Sequence, residues 1–383
     1  MTVVSAPTLL VGDRLVRNGS VVVQDGVIHD VLDHVPAGGT DHVRLESGIL
    51  TAGLVDLQVN GCFGVDFADT TPAGWSLARR GLARTGVTSF LPTAITAPID
   101  DLVDFVAQVV GERDREGAGD GARIIGVHLE GPFLSPLHAG AHDPGLMISP
   151  TDEDVDRLVE LGADAVALVT LAPEVPGAAR AVRRLHDAGV VVSIGHTDAT
   201  AEQVRAAADA GASKVTHVFN AQRGLRHREP GVPGAAFDDD RLSLGLIADL
   251  HHVAAPVVRL VFTAAEGRVV LVSDAVAAMG MPPGTYALGG APAVVEAAGA
   301  PPRRLDGTLA GSALSLDQAV RNVVALGIPT ATALLAATRT PADVLHRPDL
   351  GRLAEGALAD LVWWDDDLRV QRTWIGGVPV DAG

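Results

Sequence analysis

Between Leu54 and Ser273, short apolar runs recur that are too short to span a membrane and too rich in β-branched residues to favour helix; alanine-rich amphipathic stretches separate them. Residues 190–220, VVVSIGHTDATAEQVRAAADAGASKVTHVFN, contain one full unit. Val190 to Ile194 reads as a strand buried on both faces. Thr200 with Gln203 makes a capping box, Val204, Ala207 and Ala208 line one helical face, Gly211 stops the helix, and Val215 to Phe219 reads as the next strand. Repeats of this kind predict parallel strands joined by crossover helices. Eight strands are expected: Leu54 to Val59, Ser89 to Leu91, Ile124 to Leu129, Val166 to Leu171, Val190 to Ile194, Val215 to Phe219, Leu244 to Ala248 and Val269 to Ser273. Helices are expected over Ala178 to Ala188 and Leu314 to Leu326. The fold class is therefore α/β, and eight such strands close into a (β/α)8 TIM-like barrel.

The two ends of the chain read differently. Asn18-Gly19 and Asp25-Gly26 are hairpin signals, and Ala359 to Trp364 and Val370 to Trp374 read as strands around the acidic turn Asp365 to Asp367. A small β-sandwich domain built from both termini is expected, from residues 1–49 and 349–383, with the barrel over 50–348.

The 383 residues, 47% hydrophobic with a mean hydropathy of +0.27, can bury a sizeable core. A formal charge of −18 argues against a nucleic-acid surface or a polybasic membrane patch, so any anionic ligand must be held by a local cluster. The lone cysteine, Cys62, excludes an internal disulfide and reads as a packing residue. The start lacks a basic secretion signal and no apolar run approaches the roughly 18 residues of a span, so the expected compartment is the cytoplasm.

The polar residues at the strand ends form a set. The third strand ends in His128-Leu129-Glu130, the fifth in His196, the sixth carries His217, and the eighth ends at Asp274. A catalytic zinc commonly takes three nitrogen or oxygen ligands and keeps one position open, so Glu130, His196 and His217 suit a single metal site, with Asp274 left to handle protons. One strand-end histidine alone is often only a hydrogen-bonded core group, and Asp274 alone could be a helix N-cap. Convergence from separate strands favours a site. His128 shares a face with Glu130 and reads as a supporting partner.

Taken in order, Asp56-Leu-Gln58-Val-Asn60-Gly61, His128-Leu-Glu130-Gly-Pro-Phe133, Gly195-His196-Thr-Asp198, Thr216-His217-Val-Phe-Asn220-Ala221, Arg228-Glu-Pro-Gly231, Ile247-Ala-Asp249 and Ser273-Asp274-Ala275 resemble the N-acetylglucosamine-6-phosphate deacetylases of the amidohydrolase superfamily, almost end to end. Most of that superfamily carries His-x-His on the first strand. Gln58 and Asn60 stand there in this chain, so the resemblance is to the single-metal branch. The only lysine, Lys214, lies ahead of the expected sixth strand, so it is no candidate for a bridging modified lysine. The resemblance implies that Glu130, His196 and His217 bind one divalent ion, most simply Zn2+, and that Asp274 is general base and then general acid. It further implies that Ala141 and His142 meet the N-acetyl group or sugar, and that Asn220, Ala221 and Arg228 hold phosphate. His252, with His251 as its rival, would meet the sugar, and Leu309, Ala310 and Gly311 would approach substrate through backbone. A homodimer is implied as well, in which the neighbour completes the phosphate pocket. The expected reaction is hydrolysis of the acetamide of N-acetyl-D-glucosamine 6-phosphate to D-glucosamine 6-phosphate and acetate, in amino-sugar catabolism or cell-wall recycling. Rival readings are the galactosamine epimer, a cyclic amide, and a silent barrel that binds a sugar phosphate or a partner protein. Arg228 has a blander reading too, as a solvated loop residue beside Arg223 and Arg226.

Overall fold

The computed structural model of the protein describes residues 1–36, 41–115, 117 and 120–380. Its centre is a parallel barrel whose strands pair in chain order: Leu54–Val59, Val87–Ile95, Val127–Glu130, Val166–Leu171, Val191–Ile194, Lys214–Val215, Ser243–Leu246 and Val269–Leu271. The first and eighth strands meet just beyond the last. Asp274 N–H donates to the Gln58 carbonyl at 3.0 Å, Asn60 N–H donates to the Ala275 carbonyl at 2.7 Å, and Val59 bridges Ala275 in parallel. The fifth strand is buried at every position, the burial that helices on one side and a filled barrel on the other impose on a parallel sheet.

Only the first and fourth strands keep their expected bounds; the fifth begins one residue late, and the seventh and eighth end two residues early, at Leu246 and Leu271. The third is broken in two, Arg123–Ile124 and Val127–Glu130, around Gly126, whose φ of 132° suits no other residue. The second runs on to Ile95, past Pro92. The sixth ends at Val215 instead of Phe219, because the backbone turns left-handed at His217 (φ 24°), Phe219 (φ 77°) and Ala221 (φ 47°). Lys214 accordingly lies inside the strand and is fully buried, where burial lowers its ammonium to about 8 against the opposing pull of Glu130, Asp274 and Asp56.

The helix Ala201–Asp209 is capped as its sequence dictates: Thr200 Oγ1 accepts from Gln203 N–H and Gln203 Oε1 accepts from Thr200 N–H. Ala178–Asp187 and Leu316–Ala325 also form helices. A hairpin that was not foreseen, Gly284–Leu288 with Ala291–Val295, follows the eighth strand and turns through Gly289-Gly290 with φ of 57° and 76°.

Both termini join one eight-stranded sheet, ordered Val378–Pro379, Val370–Ile375, Leu361–Trp364, Ile49–Ala52, Thr2–Val11, Arg14–Gln24, Val27–Leu32, with His42–Arg44 also on Thr2–Val11. Its own core holds Leu9, Val21, Ile28, Leu50, Leu361 and Trp374. Asp25-Gly26 makes the expected hairpin turn, with φ of 51° and 82°. Asn18-Gly19 makes none. Asn18 lies within Arg14–Gln24, in register with Pro7, and the chain reverses earlier, at Gly12-Asp13. Residues 381–383, the last of the stretch expected to complete this sheet, lie outside the described residues.

Candidate metal centre and active site

At the C-terminal ends of the strands, the buried Glu130 carboxylate is approached by three imidazoles. His217 Nε2 is 3.0 Å and His196 Nε2 3.2 Å from Oε1, and His142 Nε2 is 3.7 Å from Oε2. His196 stands between the other two, with ring centroids 4.3 Å from His142 and 5.0 Å from His217. Donor atoms of Glu130, His142 and His196 lie within 4.8 Å of one another, a spacing that can hold a metal ion.

Proton bookkeeping separates the imidazoles. His196 Nδ1 lies 2.9 Å from the His138 carbonyl, which only accepts, so Nδ1 carries a proton and Nε2 is the atom left to face Glu130. With a proton of its own Nε2 donates to that carboxylate, and without one its lone pair can share a cation with it. His142 is the reverse case: its Nδ1 lies 3.2 Å from the Thr96 backbone N–H, which only donates, and 2.8 Å from Thr96 Oγ1, which can donate too, so the tautomer with the proton on Nε2 satisfies both contacts. His217 Nδ1 is buried with no hydrogen-bond partner among the described residues, while its Nε2 faces Glu130.

Gln58 and Asn60 turn amide donors inward. Gln58 Nε2 donates to Glu130 Oε1 and to Asp274 Oδ1, both at 3.1 Å, and Asn60 Nδ2 donates to Asp274 Oδ1 at 2.8 Å. One amide thus links the two carboxylates, and the positive ends of N–H dipoles face them both. The carboxylates are driven apart. Burial alone would raise Glu130, but hydrogen bonds from His142, His196 and His217 outweigh it and hold the group well below the ordinary carboxylate range. Burial and the neighbouring charge of Glu130 push Asp274 well above it, against the opposing amides. Environments that split two carboxyls in this way suit one to a fixed anion and the other to proton exchange.

His196 (φ 46°), His217 (φ 24°) and Asp274 (φ 48°) all adopt left-handed backbone, which non-glycine residues sustain at about 1–3 kcal/mol each and which clusters at functional sites.

A cavity of about 380 Å³ opens onto these groups. Ala141, His142, Asn220, Ala221, His252, Leu309 and Gly311 line it together with Asn60, Glu130, His196, His217 and Asp274. His252 is held by Asp249 at 2.7 Å, whereas His251 lines a neighbouring depression. Ala310 is buried behind the wall in the cluster with Val276 and Leu288. Arg228 is exposed and is not part of this lining. His128 sits in the barrel interior, with Nε2 2.8 Å from Thr170 Oγ1 and Nδ1 3.4 Å from Thr93 Oγ1; burial lowers it to about 3, so it is neutral. Cys62 is buried, and burial pushes its thiol up, away from nucleophile chemistry. Thr96 and Leu288 bear on the site and were not foreseen. The Gly289-Gly290 turn signal could have found the hairpin that brings Leu288, but Thr96 lies in an unremarkable run of small residues.

The profile described as Amidohydrolase family matches residues 49–380. The chain is 38% identical to an N-acetylgalactosamine-6-phosphate deacetylase of Escherichia coli O157:H7, covering 98% of each chain. It is 36% identical to an N-acetylglucosamine-6-phosphate deacetylase of Vibrio furnissii over 92% of this chain and 86% of that one. Among solved structures it is similar to a mutant N-acetyl-D-glucosamine-6-phosphate deacetylase of Mycobacterium smegmatis in complex with N-acetyl-D-glucosamine-6-phosphate, with a TM-score of 0.92, 35% identity and 99% of each chain covered.

Proposed function

The chain belongs to the amidohydrolase family, and from that membership we propose that it hydrolyses the acetamide of N-acetyl-D-glucosamine 6-phosphate, releasing acetate and D-glucosamine 6-phosphate. The observation that carries the reading is the link Glu130–Gln58–Asp274 beside two imidazoles whose Nε2 atoms face the same carboxylate oxygen.

Glu130, His196 and His217 would hold one divalent ion, with Zn2+ the natural choice for a carboxylate and two imidazoles. His142 is left out of that set by its donor Nε2 and is assigned to the acetyl oxygen or a sugar hydroxyl. When bound, the ion supplies Lewis acidity: it lowers the pKa of a water and polarises the amide carbonyl. Asp274 then takes a proton from the attacking water and returns it to the sugar nitrogen, which makes an amine that can leave. Asp274 Oδ1 is occupied by the two amides, so Oδ2 carries the proton.

Phosphate recognition is assigned to Asn220, Ala221 and Arg228, with a homodimer completing the pocket. The dimer is supported by the exposure of Arg228 away from its own cavity and by the exposed Leu137 and Leu225 on loops of the same barrel face. Among the described residues no helix is long and apolar enough to cross a membrane, and a lone reduced cysteine suits the cytoplasm.

The galactosamine epimer is a second reading, favoured by the 38% relative. Metal analysis paired with acetate release from both N-acetylated hexosamine 6-phosphates tests the proposal. Stoichiometric metal with turnover of the gluco epimer is expected; metal without turnover of either sugar would overturn it.

A further inference from the structure

We propose that Asp198 and Arg223 form a positioning pair which, acting through His138, fixes the donor geometry of His196 and the loop that carries His142. The inference rests on the metal-dependent reading above and extends it to residues that reach neither the ion nor the reacting bond.

The segment 135–142 wraps His196. Ser135 N–H donates to the His196 carbonyl at 2.9 Å, and the His138 carbonyl accepts from His196 Nδ1, also at 2.9 Å. Gly140 (φ 58°) passes so close that an added Cβ would lie 3.1 Å from His196 Cε1. Any shift of this segment therefore loosens the bond that sets which nitrogen of His196 carries the proton, and it moves His142 at the same time.

Apolar packing does not hold the middle of the segment, although Ala141 near its end rests against the cluster of Val276 and Leu288. Its short turn Pro136–His138 buries no residue, and Leu137 is 77% exposed. Polar contacts hold it instead. His138 Nε2 is 3.1 Å from Asp198 Oδ1, and Arg223 grips both oxygens of Asp198, Nε to Oδ1 at 3.1 Å and Nη2 to Oδ2 at 2.6 Å. This fork-to-fork geometry fixes a carboxylate in direction as well as distance. Arg223 Nη1 continues to Glu229 Oε1 at 3.0 Å, and Asp198 N–H donates to Glu174 Oε1 at 2.6 Å. Loops after the third, fifth and sixth strands are thereby tied at one carboxylate, and the loop after the fourth is tied to the backbone of the same residue. That carboxylate is two residues beyond His196, on the same loop.

Partners of this kind typically change metal affinity or activity by about 10- to 100-fold when removed. The test uses the intact protein in two variants. Asp198→Asn keeps the shape and weakens the fork; His138→Ala removes the tether while leaving the backbone carbonyl in place. Zn2+ affinity by competition with a chromogenic chelator, together with KM and kcat at saturating Zn2+, is the readout. Both variants are expected to lose about 10- to 100-fold in affinity and to raise KM more than they lower kcat. If one fails to fold, the other decides. Affinity and KM within twofold of the parent, whether or not the melting temperature drops, would assign the network to stability alone and overturn the inference. A parent that binds no Zn2+ and releases no acetate overturns the functional reading, and this inference with it.

Discussion

Asn60 donates its side-chain amide to Asp274 Oδ1 across 2.8 Å, at a first-strand position where most of the superfamily carries a metal-binding imidazole. The contact favours the ionised carboxylate, opposing the burial and the Glu130 charge that drive Asp274 upward. Asn60→Ala should therefore raise Asp274 further. The base works in its ionised form, so the acid limb of the kcat/KM profile should move to higher pH, with activity lost below the limb and retained well above it. A limb that stays in place or moves down would dissociate Asn60 from the proton carrier.

Asp274→Asn tests the carrier itself. Asparagine keeps the size and one acceptor oxygen but cannot exchange a proton at that pH. General acid–base groups contribute about 10²- to 10⁴-fold, so kcat should fall by that range while KM stays within a few-fold. Acetate release at the parent rate would exclude Asp274 from the reaction.

The barrel and the helix caps were legible because they are written locally. The run Val190 to Ile194 and the pair Thr200 and Gln203 need only their own neighbours to form a strand and a capped helix. The sixth strand was over-read because the apolar pattern Val215 to Phe219 persists after the backbone has turned left-handed at His217, and side-chain type does not encode that strain. Glu130, His196, His217 and Asp274 could be named because each ends or follows an apolar run. Thr96 and the Asp198–Arg223 fork could not, since their roles depend on loops from different strands meeting.

Metal removal should be visible in stability. An ion that binds only the folded chain stabilises it by about 2.7 kcal/mol at a hundred times its Kd. Chelation should lower the melting temperature of the parent and added Zn2+ should restore it. Glu130→Gln should melt at one temperature with or without Zn2+, because the anion shared by His196 and His217 is gone. An unchanged response to Zn2+ in that variant would place the ion elsewhere.

Asp56 offers a pH test away from the reacting groups. Burial raises its carboxyl from 3.8 to about 6, against hydrogen bonds from Ser273 and Gln58. The folded state therefore holds the proton more tightly than the unfolded chain. Stability should fall as pH rises from about 4 to about 6, by roughly 3 kcal/mol, and the loss should then level off. Asp56→Asn keeps an acceptor for the Ser273 and Gln58 amides but has no charge to bury. Its denaturation free energy should lose this fall across that window. A fall as steep as the parent's would assign the pH response to another group.

Arg228 tests how the phosphate is held. It is exposed and lies outside the cavity of its own chain, on a segment with Arg226 and His227 that is locally basic in a chain of net charge −18. A charge-assisted contact is worth about 1.5–3 kcal/mol, so Arg228→Ala should raise KM for the 6-phosphate roughly 10- to 150-fold and leave any turnover of the unphosphorylated sugar unchanged. If the arginine serves the neighbouring subunit, mixing subunits carrying Arg228→Ala with subunits carrying Asp274→Asn creates sites that have Asp274 from one chain and Arg228 from the other. Activity at low substrate should then exceed the sum of the two variants measured apart. Strict additivity in a mixture proven to exchange subunits would confine Arg228 to its own chain.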